Sequence, residues 1–485
     1  MLAGGLAVGL AACGQNGEPS SAPRRTPGAS PSASAPSASP VRAATPWSQL
    51  GSEVDLVRPR SSSYSTLRLT PNPRWDGARP LALVEAKSPD DVATALSFAR
   101  RYAVPPALRA GGHCYAGWSA GDGRLVIDTR PMTGVAWTGT TVRFGAGLTL
   151  AKVYEELAAR GRALPAGSCP TVGLAGLTQG GGVGVLTRAY GLTCDHLRSV
   201  EVVLASGQTV TASADAHDDL FWALRGGGGG HLGVVTSLTF DTVPAPTLTT
   251  AYLTWPATSW TDVVPAWLSW IGAADPQLWS TLKLLGGDVH PSGPSLGATV
   301  TWVGPTSAFD DALRPLVSAV APTGRTDHVR DYLDAMRAYG GSGEREAFAA
   351  TSHVAYQPPD AASTTALGDL VDRTPAGLHE AGVSIDALGG HVADLAPGDT
   401  AFVHRQALAT VQYTATYDGT DPSPAQDFVG RLRARMVGTW GDTAYVNYVD
   451  ASLPDPGTAY FGDNWAWLQQ VRTTYDPDGL FTQPQ

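Results

Sequence analysis

The chain has 485 residues, of which 43% are hydrophobic and 16% charged, and its formal net charge is −10. This length is long for one domain and comfortable for two, and such a chain can bury a large core. No basic tract offers a footprint for phosphate backbones, which argues against nucleic-acid binding. The 56 glycines and 37 prolines predict many turns and glycine-rich loops.

The first thirteen residues predict an export signal instead of a part of the fold. Residues 1–12 form an apolar run that is too short for a membrane-spanning helix, and it ends in Leu10-Ala11-Ala12-Cys13-Gly14, which is similar to a bacterial lipobox. We expect an extracytoplasmic protein whose membrane attachment is a lipid on the Cys13 thiol. The alternatives are an ordinary secretory signal or a truncated twin-arginine signal, because the basic region that precedes such a run is missing.

Residues 14–46 consist mainly of Ser, Pro and Ala, with almost nothing to bury. This composition predicts a disordered tether that reaches on the order of 100 Å in polyproline-like geometry. A tether of this kind suits an anchored enzyme outside the cytoplasm.

The next segments alternate between strand and helix patterns. A strand is predicted at 81–84, a helix begins after Ser88-Pro89, and a second strand is predicted at 106–109. This βαβ unit places Gly111 and His113 at the carboxyl end of a strand. Further strands are predicted at 125–128, 142–144, 199–204 and 209–211, the last two as a hairpin around Ser206-Gly207, with an amphipathic helix at 149–157. The mixture predicts an α+β domain over residues 75–247.

The pattern changes between residues 248 and 402, where glycine motifs give way to longer strands and helices. Strands are predicted at 249–254 and 298–303, and helices at 260–270 and 309–320. We predict a second domain here, built on an antiparallel sheet with helices behind it.

Two glycine-flanked loops carry the candidate reactive side chains. The stretch Ala166–Gly184 contains Cys169 and ends in a run of glycines, whose free N–H groups suit phosphate oxygens. The loop after the strand at 106–109 carries His113. Imidazole and thiol are both nucleophiles once deprotonated. The pair predicts a large phosphorylated cofactor held between the loops.

These motifs resemble a known flavoprotein family. Arg109-Ala110-Gly111-Gly112-His113, Cys169-Pro170-Thr171-Val172-Gly173 and Gly180–Gly184 are similar to the berberine-bridge-enzyme-like branch of the p-cresol methylhydroxylase / vanillyl-alcohol oxidase flavoproteins. The resemblance runs from about Trp75 to the C-terminus and continues through segments 190–195, 219–229, 233–236, 445–450 and 475–477. It implies a two-part FAD-binding domain at 75–247, a substrate domain at 248–402, and a segment at 403–485 that ends the substrate domain and returns to the FAD domain.

The resemblance also implies how FAD is held. His113 is expected to carry the 8α link and Cys169 a thioether to flavin C6, and two covalent bonds raise the flavin potential. Val172 matches the position that admits dioxygen in the family. Leu177 stands where plant relatives carry a histidine, so how the reduced anionic flavin is stabilised is left open. The expected FAD-binding residues are Arg109, Gly111, Gly112, His113, Cys169, Pro170, Thr171, Val172, Gly173, Gly176, Leu177, Gly181, Gly182, Gly184, Val235 and Asn447.

Three further residues are expected near the substrate. Tyr448 is the candidate base for the substrate hydroxyl, provided that its pKa is lowered toward working pH. The alternative is that Tyr448 only donates a hydrogen bond. Tyr115 is expected to project into the same cavity. Gln412 occupies the position of the glutamate base of alkaloid-cyclising members, and its amide cannot act as a base.

The sequence therefore predicts an FAD-linked oxidase. It would take a hydride from a carbinol of a bulky substrate, preferably a sugar, oligosaccharide or glycosylated metabolite, and reduce dioxygen to hydrogen peroxide. The alternatives are a covalent-flavin dehydrogenase with another acceptor, a non-catalytic binding lipoprotein, and a serine hydrolase built on Ser119 in Gly117–Gly121. Cys114 and Cys194 form either a disulfide or two free thiols. The histidine spacing supports no metal site.

Overall fold

The computed structural model describes residues 45–483. The predicted export signal at 1–13 and all but the last two residues of the predicted tether at 14–46 lie outside the described residues. The first domain starts earlier than the predicted boundary at 75, because Leu56–Val57 pairs with Ala82–Glu85 in a sheet. Leu50 is also buried in the core of that sheet. Residues 47–74 therefore belong to the first domain.

The first sheet has four strands and positions His113. Its helices and strands are α1 (Trp47–Leu50), β1 (Leu56–Val57), α2 (Tyr64–Leu67), β2 (Ala82–Glu85), α3 (Pro89–Arg101), β3 (Pro106–Arg109) and β4 (Leu125–Asp128). The strand order is β1-β2-β4-β3, and β4 runs parallel to both β2 and β3. Ser88 caps α3 with a complete capping box, as the sequence predicts.

The second sheet completes the first domain and carries the cysteine loop. Its elements are β5 (Val135–Thr138), β6 (Thr141–Gly145), α4 (Leu150–Ala158), β7 (Arg162–Ala163), α5 (Leu174–Gln179), α6 (Thr187–Tyr190), β8 (Leu197–Val203), β9 (Thr209–Ser213), α7 (Asp218–Ala223), β10 (Val234–Asp241) and β11 (Val243–Pro244). Five strands pair antiparallel in the order β5-β6-β10-β8-β9, and β11 pairs with β7. β8 and β9 form the hairpin predicted around Ser206-Gly207.

The second domain is a seven-stranded sheet with helices against it. Its elements are β12 (Leu248–Trp255), α8 (Trp260–Ala273), β13 (Leu278–Gly286), β14 (Ser295–Trp302), α9 (Phe309–Ala319), β15 (Gly324–Arg330), α10 (Tyr332–Tyr339), β16 (Phe348–Ala355), α11 (Ala361–Asp372), β17 (Leu378–Ala387), β18 (Ala409–Tyr417) and α12 (Ser423–Trp440). Every pairing in the order β15-β12-β14-β13-β17-β18-β16 is antiparallel. The predicted architecture of this domain is confirmed.

The C-terminal segment returns to the first domain. After α13 (Pro456–Phe461) and α14 (Trp465–Tyr475), Phe481 is buried in the core that surrounds the first sheet. Arg124 donates a hydrogen bond to the Thr482 hydroxyl at 2.7 Å, which fixes the end of the chain there. Within residues 45–483, no helix is long and apolar enough to cross a membrane.

Candidate active site

A cavity of about 230 Å³ lies where the first sheet, the second sheet and the C-terminal segment meet. Twelve of the predicted site residues line it, namely Arg109, Gly111, Gly112, His113, Tyr115, Val172, Gly173, Gly176, Leu177, Val235, Asn447 and Tyr448. The wall includes the end of β3 and, from the C-terminal segment, a 3-10 turn at Val446–Tyr448.

Glycines allow the two predicted cofactor loops to touch. A Cβ added at Gly111 would lie 2.2 Å from the backbone nitrogen of Gly173, and one added at Gly173 would lie 2.3 Å from that of Gly111. Side chains at either position would therefore push the loops apart. A Cβ at Gly176, by contrast, would meet no atom of the described residues within 4 Å, although Gly176 lines the cavity. The wall at α5 is thus open backbone of the kind that a flat ring system can approach.

His113 and Cys169 come together at one hydroxyl group. The Nε2 atom of His113 lies 2.9 Å from Thr171 Oγ1, and Cys169 Sγ lies 3.6 Å from the same oxygen. Burial lowers the pKa of His113 to about 4, so its imidazole is neutral at ordinary pH. Cys169, Pro170 and Thr171 are not among the residues that line the cavity. The structure therefore brings the two predicted attachment residues together through Thr171.

Arg109 lines the cavity, but its guanidinium serves the protein backbone. It donates hydrogen bonds to the carbonyl oxygens of Ser119, Leu67 and Arg68 at 2.8, 2.7 and 3.3 Å. Asp128 lies 3.9 Å away as its ionic partner. That Arg109 belongs to the cofactor site stays a prediction, and within the protein its side chain braces the loop that carries His113.

The glycine run at 181–184 makes its backbone contacts within the protein. The N–H groups of Gly182 and Val183 donate to Tyr445 Oη at 3.1 and 3.2 Å, and the N–H of Gly184 donates to Thr187 Oγ1 at 2.8 Å. A Cβ at Gly181 would lie 2.9 Å from the Phe402 ring. Gly181, Gly182 and Gly184 thus pack against protein and do not line the cavity, because their donors are already satisfied.

Asn447 joins the C-terminal segment to α5, the helix that precedes the glycine run. Its side-chain nitrogen donates to the Leu177 carbonyl and to Tyr445 Oη, both at 2.9 Å. Leu177 and Asn447 share the cavity wall with Val172 from the cysteine loop and Val235 from β10. These contacts hold the loop with Tyr448 at a fixed place over the cavity.

Tyr448 and Tyr115 face each other in parallel. Their ring centroids are 5.8 Å apart, with an interplanar angle of 6°. Gln412 lies behind them and donates a hydrogen bond from Nε2 to Tyr115 Oη at 2.9 Å. The position of Gln412 on β18 is as predicted, but it acts by orienting Tyr115 and is not on the cavity wall.

Asp386 on β17 is a site residue that sequence reasoning missed. Burial raises the pKa of Asp386, and burial together with the neighbouring charge of Asp386 raises the pKa of Tyr448 well above its usual value. The condition that the Tyr448 pKa is lowered is therefore not met, and its phenol is neutral before substrate binds. The one available signal was the alternation Ser384-Ile385-Asp386, which places polar residues on one face of an apolar strand.

A row of polar side chains crosses the second-domain sheet beside Tyr448. Thr410, Asp386, Thr281 and Thr299 are direct neighbours on β18, β17, β13 and β14. Thr410 and Thr299 each carry a buried hydroxyl oxygen that makes no hydrogen bond within the described residues, whereas the Thr281 and Asp386 side chains are hydrogen-bonded to each other. The row spans about 14 Å at roughly 4.8 Å per strand. Buried polar atoms in this state call for a ligand or water.

The remaining expectations concern thiols, serine and metals. Cys114 and Cys194 form no disulfide with each other, so the disulfide alternative for this pair is wrong. The buried Ser119 hydroxyl has no hydrogen-bond partner among residues 45–483, so a base that activates it is missing from this part of the chain. In the same residues no group of side chains has the arrangement of a metal site. Sequence reasoning also missed the wall residues Gln179, Gly229, Gly230, Gly233 and Gln483.

Comparisons with known proteins agree with this geometry. Residues 80–213 match the model of an FAD binding domain, and residues 444–485 match the model described as berberine and berberine like. An uncharacterized FAD-linked oxidoreductase of Bacillus subtilis is 32% identical over 83% of this chain and 90% of its own length. A chitooligosaccharide oxidase of Gibberella zeae is 29% identical over 84% of this chain and 87% of its own length. A solved structure of the glucooligosaccharide oxidase from Acremonium strictum, described as having 6-S-cysteinyl, 8α-N1-histidyl FAD, superposes with a TM-score of 0.81 at 25% identity over 91% of this chain and 97% of that one.

Proposed function

Because the chain belongs to the berberine-bridge-enzyme-like family of FAD-linked oxidoreductases, we propose that it oxidises an alcohol carbon of an oligosaccharide or glycosylated substrate. The electrons pass to dioxygen, which is released as hydrogen peroxide. The single observation that carries this proposal is that Tyr448, backed by Asp386, lines the same cavity as His113.

FAD is held in this proposal by the two loops that meet at Thr171. His113 and Cys169 supply the covalent links, and the open backbone at Gly176 with Val172 and Leu177 supports the ring system. The fit rests on that open wall and on a neutral imidazole beside a thiol. When bound, FAD supplies the acceptor for a hydride leaving the substrate carbon.

Tyr448 and Asp386 together handle the hydroxyl proton. A neutral phenol is a poor base, so Tyr448 accepts the substrate proton only while passing its own proton to Asp386. Lys283, whose pKa burial lowers, lies near Asp386 and favours the carboxylate form before the reaction. Tyr115, fixed by Gln412, forms the parallel ring against which the substrate is positioned.

A carbohydrate substrate is supported by the polar row and by the relatives. Thr410 and Thr299 offer hydroxyl oxygens without a partner in the described residues to a ligand with several hydroxyl groups, and the Thr281–Asp386 pair lies between them in the same row. The relatives named for their substrates act on chitooligosaccharides and glucooligosaccharides. Gln412 cannot act as the glutamate base of the alkaloid-cyclising members. These features favour sugars over alkaloids.

The acceptor and the location complete the proposal. Val172 on the cavity wall is small enough to leave dioxygen a path to the ring system, which favours an oxidase over a dehydrogenase. We also propose, from the lipobox-like sequence ending at Cys13, that the enzyme lies outside the cytoplasm on a lipid anchor. This part rests on the sequence of residues 1–46 alone.

The first test is acid precipitation of the purified protein and of its His113→Ala, Cys169→Ala and double variants. We expect flavin in the pellet for the wild type and both single variants, and in the supernatant for the double variant. A wild-type protein that releases all its flavin would contradict bicovalent attachment.

The second test screens oligosaccharides by peroxide release, with Tyr448→Phe and Asp386→Asn as variants. We expect each to lower kcat by roughly 10²–10⁴-fold, the range for loss of general acid–base catalysis. Tyr332→Phe is the matched control, because its hydroxyl contacts the Leu164 backbone and not the cavity. Dye reduction by substrate without peroxide would favour the dehydrogenase alternative.

A further inference from the structure

Thr171 is a residue to which neither the family resemblance nor the cavity lining gives a specific task. Its hydroxyl lies 2.9 Å from His113 Nε2 and 3.6 Å from Cys169 Sγ. These two side chains come from different loops, and the shared contact is a direct polar link between them. We propose that Thr171 is the positioning residue for both covalent attachments, because its hydroxyl orients the His113 ring and the Cys169 sulfur toward FAD. This inference rests on the bicovalent attachment proposed above.

The hydrogen-bond inventory gives the link a direction. A threonine hydroxyl carries one donor and two acceptor sites. If Nε2 of His113 donates its hydrogen to Oγ1, the hydroxyl hydrogen is free to point to Cys169 Sγ. A hydrogen bond to the Thr171 backbone also favours the protonated ring of His113. The Nδ1 atom of His113 then keeps its lone pair as the nucleophile, and the sulfur receives a donor that stabilises its thiolate.

The attachment chemistry balances with dioxygen as the oxidant. Each link replaces one hydrogen of the flavin and one hydrogen on nitrogen or sulfur by a C–N or C–S bond. Two electrons and two protons leave for each bond, and one dioxygen takes them as hydrogen peroxide. Thr171 supplies no atom to either bond, so its effect is on orientation and on the proton carried by Nε2.

The packing around Thr171 keeps the hydroxyl in place. Gly343 lies against its methyl group, since a Cβ at Gly343 would be 3.5 Å from Thr171 Cγ2. The Thr171 carbonyl faces Gly111, where an added Cβ would be 3.1 Å away. The residue is thus held from the second domain on one side and from the His113 loop on the other. A valine of the same shape keeps these contacts and removes the hydroxyl alone.

The experiment places Thr171→Val and Thr171→Ser on backgrounds in which a single link remains. In Cys169→Ala the flavin retained after acid precipitation depends on His113, and in His113→Ala it depends on Cys169. We expect Thr171→Val to lower the retained fraction about tenfold on the Cys169→Ala background, the size expected for one lost hydrogen bond to a reacting group. A smaller loss is expected on the His113→Ala background, because the contact to sulfur is longer. Thr171→Ser should restore retention on both.

The controls and the possible contrary results distinguish a failure of the Thr171 role from a failure of bicovalent attachment. Thr178→Val removes a hydroxyl from α5 that donates to the Leu174 carbonyl, and it should leave retention unchanged. Mass spectrometry of peptides containing His113 or Cys169 assigns each remaining link, and Thr171→Ala replaces the valine variant if that variant does not fold. Retention in Thr171→Val equal to that of its background, or a serine variant that behaves like valine, overturns the role of Thr171 alone. Release of all flavin from the wild type overturns the bicovalent attachment as well.

Discussion

Replacing Gly111 with alanine should separate the two loops that form the cofactor wall. The new Cβ would lie 2.2 Å from the Gly173 nitrogen and 2.8 Å from its Cα. Because ordinary contact distances begin at about 3.5 Å, the loops must move apart by about 1.3 Å. Overpacking of this kind costs about 1–3 kcal/mol, or a melting temperature lower by about 2–6 °C. A shift of about 1 Å in reacting groups lowers rates by roughly 100-fold.

The assay is thermal unfolding of each purified variant together with acid precipitation to measure retained flavin. Gly77→Ala is the matched control, because its Cβ would meet no atom of the described residues within 4 Å and it lies outside the cavity. Gly176→Ala should leave the melting temperature of the flavin-free protein unchanged. It should weaken flavin binding, because its Cβ enters the cavity. A Gly111→Ala protein with normal melting and full covalent flavin would refute the argument that these loops require contact.

Two further predictions concern stability. Arg405→Met should lower the free energy of unfolding by about 3–5 kcal/mol, because the fully buried guanidinium makes two 2.8 Å hydrogen bonds to Asp195. Denaturant unfolding measures this free energy. A loss below about 1 kcal/mol would contradict the prediction. Burial lowers the pKa of His353 to about 3 and that of His404 to about 4, so between pH 6.5 and 4 the unfolded chain binds more protons than the folded one. The stability that these two groups contribute is therefore complete above pH 6.5 and is lost as the pH falls. His353→Gln should flatten the slope of unfolding free energy against pH. An unchanged slope would show that the pKa of His353 is not lowered in the folded chain.

Local sequence signals determined much of the fold. The Ser88 capping box, the Ser206-Gly207 hairpin and the strand that delivers His113 all depend on residues within a few positions of one another. The motifs around His113 and Cys169 also identified the cofactor, because backbone approach and nucleophilic side chains are properties of short segments. The antiparallel second domain followed from the length and alternation of its strands.

The tertiary structure alone decided which groups are available to a ligand. Gly182 looked like a phosphate-binding glycine, but its donor is taken by Tyr445, 263 residues away. Arg109 was predicted to bind the cofactor, and the fold surrounds its guanidinium with backbone carbonyls. Neither competing partner is visible from the local sequence.

Burial and long-range pairing likewise decided the chemistry of the candidate site. The pKa of Tyr448 rises because the folded chain removes it from water and places Asp386 beside it. Thr171 joins His113 and Cys169 because glycines at 111 and 173 let two distant loops touch. Residue types are fixed by the sequence. The proton affinities and hydrogen-bond partners of these residues depend on burial away from water and on contacts between distant segments, and only the assembled fold sets both.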